Sequence, residues 1–170
     1  MASELRVDKI VPTTGVPTGG GGGIIQVVHA STQTGQSQAF SAGSTFVDTG
    51  LSASITPKFS TSKILVTGSL SFYIVSTANG NKEWNFAVCD GSNNILDGTT
   101  ADTQGYRVNQ LYNFGGKHPI HFLHSPSTES AFTYKMRMNA RNSNNTATLV
   151  CQRNDTANNI SRITLMEVSG

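Results

Sequence analysis

The sequence predicts an all-β protein: an antiparallel β-sandwich of the jelly-roll kind, carrying an extended N-terminal arm. Three observations lead there. Apolar residues recur at every second position in short runs, most clearly over Lys63–Ser76 and Ala131–Ala140. Turn-forming clusters rich in Gly, Asn, Ser and Pro separate those runs at intervals of roughly ten residues. No segment shows the 3.6-residue apolar period of an amphipathic helix. About nine to eleven strands result, a number that suits two packed sheets wound as a jelly roll.

The chain begins with an arm, Ser3-Glu4-Leu5-Arg6-Val7-Asp8-Lys9-Ile10-Val11. Leu5 and Val7 alternate with charged residues as in a half-buried strand, and Leu5, Val7, Ile10 and Val11 are its apolar docking residues. Pro12 ends it. The arm is too small to fold alone. It is expected to order by adding to another surface, the bland alternative being a frayed terminus. Gly19, Gly20, Gly21, Gly22 and Gly23 follow as a tether, since no side chain there can pack and each glycine loses most entropy on ordering. Residues 1–23 are thus arm and tether, and 24–170 form the head.

In the head, Ile24–His29 reads as a strand and Thr32–Ser41 as a polar loop. Thr45–Thr49 is a short strand, punctuated by Gly50, and Leu51–Ile55 alternates up to Pro57. Lys63–Ser76 places Ile64, Val66, Gly68, Leu70, Phe72 and Ile74 on one face and mainly hydroxyls on the other, one wall of a sandwich. Glu83–Asp90 carries Trp84, Phe86 and Val88 at period two. Asp90-Gly91-Ser92-Asn93-Asn94 has hairpin composition. Ile95-Leu96 starts the return, and Asp97–Gly105 reads as a loop. Tyr106–Leu111 and Ile120–Leu123 are strands separated by Asn113-Phe114-Gly115-Gly116. Phe132, Tyr134, Met136 and Met138 mark the next strand and Arg141–Thr146 a turn. Ala147–Gln152 and Ile160–Val168 complete the set, with Ile163 and Leu165 inward.

Composition narrows the function. Apolar residues are 36% and charged residues 13%, whereas charged residues alone are about a quarter of an ordinary domain. Ser, Thr, Asn, Gln and Gly make up the difference, the chemistry of virion or extracellular surfaces. A net charge of +2 gives no basis for nucleic-acid binding. No run of roughly 20 apolar residues argues for membrane insertion, and no signal peptide is legible. The expected location is therefore a virion assembled in a host cytoplasm. Cys89 and Cys151 are expected to be buried free thiols rather than a disulfide.

Motifs for chemistry are missing. The glycine run lacks the Lys-Ser/Thr of a phosphate loop, there is no nucleophile elbow, and the scattered carboxylates suit turns better than glycoside hydrolysis. His118 and His124 share a strand face while His121 points away, so one chain cannot offer all three to a metal. Only a ring of single histidines about a trimer axis could do so; ordinary half-buried histidines are the simpler reading. No catalytic, cofactor or metal residues are expected.

The opening Ser3–Ile10, the Thr/Gly/Pro turn and the glycine run resemble the N-termini of small fibre-like and decoration virion structural proteins of marine tailed bacteriophages. Phe46-Val47-Asp48-Thr49-Gly50-Leu51, Ile55-Thr56-Pro57, Thr61–Val66 and Ile163–Glu167 are similar in order to their heads, trimeric jelly rolls resembling the tumour-necrosis-factor type. The resemblance implies a non-enzymatic bacteriophage virion structural protein and a homotrimer. The arm would anchor it to tail or capsid proteins, and the head would present Thr32–Ser41, Asp97–Gly105 and Arg141–Thr146 to a host surface, including its saccharides. The alternative is a capsid decoration protein that stabilises the particle; an enzyme such as a depolymerase is the third reading.

Overall fold

A computed structural model describes residues 23–41, 45–79, 82–98, 106–108, 113–141, 147–153 and 159–169. Arm residues Leu5, Val7, Ile10 and Val11 and tether residues 19–22 lie outside them.

Eleven strands are described: β1 Ile24–Thr32, β2 Gln36–Ala39, β3 Val47–Ile55, β4 Lys63–Ser76, β5 Lys82–Cys89, β6 Ile95–Gly98, β7 Tyr106–Val108, β8 Phe114–His124, β9 Phe132–Arg141, β10 Ala147–Cys151 and β11 Ser161–Val168. They form two antiparallel sheets. Sheet A runs β1-β11-β4-β10-β2, with β8 on the other edge of β4; sheet B runs β3-β9-β5-β6, with β7 also on β5. Strand β4 explains the odd branching. Its first half pairs with β11 and its second half with β10, while β8 covers nearly its whole opposite edge. Strands β10 and β11 are therefore one strand broken by an excursion, as are β1 with β2 and β6 with β7. Eight composite strands remain, in the orders 1-8-3-6 and 2-7-4-5, the winding of a jelly roll.

Alternation places the core. Ile64, Val66, Leu70, Phe72 and Ile74 of β4 are buried against Trp84, Phe86 and Val88 of β5 and Tyr134, Met136 and Met138 of β9. Phe72 sits 5.2 Å from Phe86 and 6.0 Å from Trp84 between ring centroids, both tilted, in the range where aromatic pairs add to simple burial. The hairpin between β5 and β6 is closed by Asp90, whose carboxylate accepts from the Ser92 and Asn94 amides at 2.8 and 2.9 Å while Asn93 takes φ 74°.

Two buried polar groups organise the breaks. Gln152 is fully buried with φ 50°. Its backbone N–H donates to Ser71 O at 3.1 Å. Its side-chain NH₂ donates to Thr49 O at 2.9 Å and Thr34 O at 3.3 Å, and its amide oxygen accepts from the Ser161 hydroxyl at 2.7 Å. One side chain thereby ties the β1/β2 break, β3 and the β10/β11 excursion together. Glu167 is equally buried; it accepts from Gln26 Nε2 at 2.5 Å and from the Lys58 amide at 2.7 Å, pinning the β3–β4 connection. Burial of this carboxyl raises its pKa, and hydrogen bonds from the Gln26 side chain and the Lys58 amide help to more than offset that, leaving it below its ordinary value.

Four sequence expectations are corrected. Thr32–Ser41 is not a loop: Gln36–Ala39 is β2, paired with β10. Asn113–Gly116 does not separate strands: β8 runs from Phe114 without interruption. It crosses Gly115 because the Tyr73 ring occupies the space a side chain would need, 2.6 Å from an added Cβ. Gly50 does not end a strand: at φ 80° it forms a bulge within β3, where pairing with β9 shifts between Asp48 and Ser52. Asp97 and Gly98 belong to β6 rather than to a loop.

Candidate functional site

Polar atoms on the outer face of sheet A fall into rows set by register. Val27 pairs with Met166, Met166 with Leu65 and Leu65 with Leu123, one apolar row across four strands. Its ends are open to solvent, Val27 at 56% and Leu123 at 55% exposure. The next row reads His29, Thr164, Thr67, His121, and the one after it Ser31, Arg162, Ser69, Pro119. His29 Nδ1 lies 3.0 Å from the Thr164 hydroxyl. Lys63, Lys117 and Arg162 are the charged residues among the outward positions of these four strands, and none of those positions is Asp or Glu. The apolar row lies at the end of the sheet where the chain enters, next to Ile24 and Gly23, and the Gly23 carbonyl accepts from the Ser169 amide at 3.2 Å. The last tether glycine is thus bonded to the head.

A second feature is a cleft of about 250 Å³ at the open side of the sandwich, between edge strands β6 and β8, lined by Phe86, Asp97, Gly98, His118, Pro119 and Met136 among others. Gly98, at φ 112°, leaves no room for a side chain, since an added Cβ would stand 2.8 Å from Phe86 O. His118 lies 4.9 Å from the Phe86 ring. Burial lowers its pKa and the Asp97 carboxylate opposes that shift.

The histidines separate as expected. His118 and His124 are half-buried on the inner face, and His121 is exposed on the outer one. His124 Nδ1 is 2.9 Å from the Tyr134 hydroxyl; burial lowers the pKa of His124, opposed by Asp90, and raises that of Tyr134. Among the described residues, no three His, Cys, Asp or Glu side chains are placed to hold a metal. Cys89 and Cys151 are free and buried, each with its thiol pKa raised by burial, Cys151 to about 12. Cys151 Sγ instead contacts Met138 Sδ at 3.3 Å. On sheet B, Asp48 accepts from Arg137 at 2.8 Å, with Lys135 at 3.5 Å, a solvated charge cluster rather than a site. Residues 99–105 and 142–146, two segments expected to face a host, lie outside the described residues. No helix among the described residues is long and apolar enough to cross a membrane.

Sequence reasoning missed the apolar row because its members sit at positions 27, 65, 123 and 166; only strand register brings them together.

The fold is thus an antiparallel jelly-roll sandwich with one charge-poor, part-apolar outer face. No protein-family model and no curated protein sequence matches the chain. Among solved structures it is similar to the infectious bursal disease virus Gt strain, with 10% identity over 93% of this chain and 44% of that one, TM-score 0.43. The VP2 subviral particle of infectious bursal disease virus gives 10% identity over 84% and 39%, TM-score 0.43. The Gx strain gives 10% over 85% and 36%, TM-score 0.42. The chain spans less than half the length of these structures.

Proposed function

We propose that this chain is a non-enzymatic bacteriophage virion structural protein: a short trimeric fibre or spike, anchored by residues 1–23 and presenting its β-sandwich head to the host surface. The observation that carries this reading is the polarity of the head. The chain enters at Gly23 beside the ends of β3, β9 and β11 that carry Ile55, Phe132 and Val168. The connections from β7 to β8 and from β9 to β10 leave from the opposite end, where Val108 pairs with Lys82 and Ala147 with Ser76, while residues 99–105 leave the β6 edge at Gly98, opposite Ala87 midway along β5. An arm at one end, with recognition connections leaving the far end and the side edge, is an arrangement a spike can use. Many weak contacts from several heads would add through avidity. The correction of Thr32–Ser41 to a sheet strand takes that segment out of the recognition surface and leaves the other two.

Deleting residues 1–22 should abolish incorporation into particles and leave the head folded. Replacing residues 99–105 and 142–146 separates the two structural readings. Lost adsorption with intact capsids supports the spike; fragile capsids with normal adsorption support a decoration protein and overturn the spike. Turnover of a host polysaccharide by the purified protein would overturn both.

A further inference from the structure

We infer that the outer face of sheet A near Gly23 is the surface on which a second copy of this chain packs, head-to-tail, so that the copies close into a ring. The inference rests on the reading of the head as a trimer and names the surface that makes it.

The first argument is composition. Val27, Met166, Leu65 and Leu123 form an uninterrupted apolar row across the sheet, followed by a row of threonines between two histidines. An apolar centre with hydroxyls beside it and few charges is the composition of an interface core rather than of a solvated sheet face. The second argument is charge. The outward positions of β1, β4, β8 and β11 include Lys63, Lys117 and Arg162 and no carboxylate. A two-fold contact of this face with itself would oppose cations to cations. A head-to-tail contact sets the face against a different surface of the next copy, and such contacts form a ring where the rotation between copies closes.

The third argument is the choice of that other surface. The side of the sandwich away from β1 is the β6/β8 edge, where Asp97 is exposed beside the cleft. Pro119 and Lys117 on β8 block strand addition there, so this edge meets a neighbour through side chains. Packing it on the next copy's face brings a carboxylate to the cations and covers the cleft. The apolar row also adjoins the point where the tether enters. Copies held by their arms at one place would therefore present each row to the β6/β8 edge of the next copy at high effective concentration.

The test uses the full-length chain and light scattering coupled to size-exclusion chromatography. Wild type should give about 54 kDa, three chains of 18.0 kDa. Val27→Lys with Leu123→Lys places cations at two exposed positions on edge strands, where lysine is tolerated. This variant should run at 18.0 kDa while the emission of Trp84, fully buried, stays native. Three-chain mass in that variant overturns the inference and leaves the trimer reading standing. Wild type at one chain overturns both, and at two chains overturns the ring. If the lysine variant unfolds, Val27→Thr with Leu123→Thr replaces it and should weaken association at least about tenfold; unchanged association counts against the inference. Phe59→Lys, 47% exposed in the β3–β4 connection, should keep the wild-type mass, and its dissociation would refute this assignment. Arm deletion reports on particle binding alone, so failure there leaves the interface result intact.

Discussion

Gly68 in the middle of β4 tests whether sheet A depends on one close backbone approach. A Cβ at Gly68 would stand 2.2 Å from Arg162 O and 3.0 Å from Ile163 Cα. Both are backbone atoms of the adjacent strand, so no side-chain rotation relieves the overlap. Gly68→Ala must push β4 and β11 apart by about 1 Å, since ordinary contacts begin near 3.5 Å. Overpacking of this kind costs about 1–3 kcal/mol, and weakening one or two ladder hydrogen bonds adds about 1 kcal/mol each. Against this, alanine restricts the unfolded chain and returns about 0.4–1 kcal/mol. The net expectation is a loss of about 2–4 kcal/mol, or a melting point lowered by roughly 4–16 °C at the 2–4 °C per kcal/mol of a domain this size. Gly116→Ala in β8 is the control. Its added Cβ would meet the Phe72 ring at 3.5 Å, an ordinary contact, so the entropic gain should leave stability unchanged or raised by up to about 1 kcal/mol. Urea titrations of both variants decide the matter. Equal stability of the Gly68 and Gly116 variants would refute the argument.

Gln152→Ala removes the buried amide that holds three segments and should cost about 2 kcal/mol, read as a lower urea midpoint with an unchanged slope. Glu167→Gln should be less stable than wild type at neutral pH by about 1–3 kcal/mol. Because the folded pKa of Glu167 is depressed, its contribution is present above the unfolded value and lost as pH falls through the folded one. The gap between wild type and variant should therefore narrow below the ordinary value of 4.5; a gap constant with pH argues against the carboxylate. Cys89 and Cys151 should react with a thiol reagent only as fast as the head unfolds, and both should titrate in denaturant; rapid native labelling of either contradicts its burial.

Much of this fold was legible because burial imposed alternation. In β4, β9 and β11 every second residue faces inward and most of these are apolar, Gly68, Ser161 and Glu167 being the exceptions, and the Asp90–Asn94 hairpin announces itself by its caps. Gln36–Ala39 was hidden because its four residues carry no apolar pattern; it is a strand only because β10 supplies the partner. The start of β8 was hidden because Gly115 and Gly116 read as a turn. Their strand conformation comes from β4, and the missing side chain of Gly115 makes room for Tyr73. Gly50 was legible as a special residue but not as a bulge, since positive φ serves either end. The candidate face was invisible for a different reason: it is a property of register between strands far apart in sequence.

The pairing of β1 with β11, Ile24 against Val168 and Thr32 against Ser161, sets a timetable for synthesis. The ribosome delivers β1 well over a hundred residues before its partner. Until residues beyond 160 leave the exit tunnel, β1 has no strand beside it and the first half of β4 lacks one neighbour. Sheet A therefore closes only after β11 has emerged, and long-range pairings of this kind are slow. A nascent head leaves Ile64 and Val66 without the neighbours Ile163 and Leu165 for that whole interval. A stop codon before β11 would yield a chain with the first half of β4 paired to β8 on one side only and nothing across from β1, open to proteolysis along both strands.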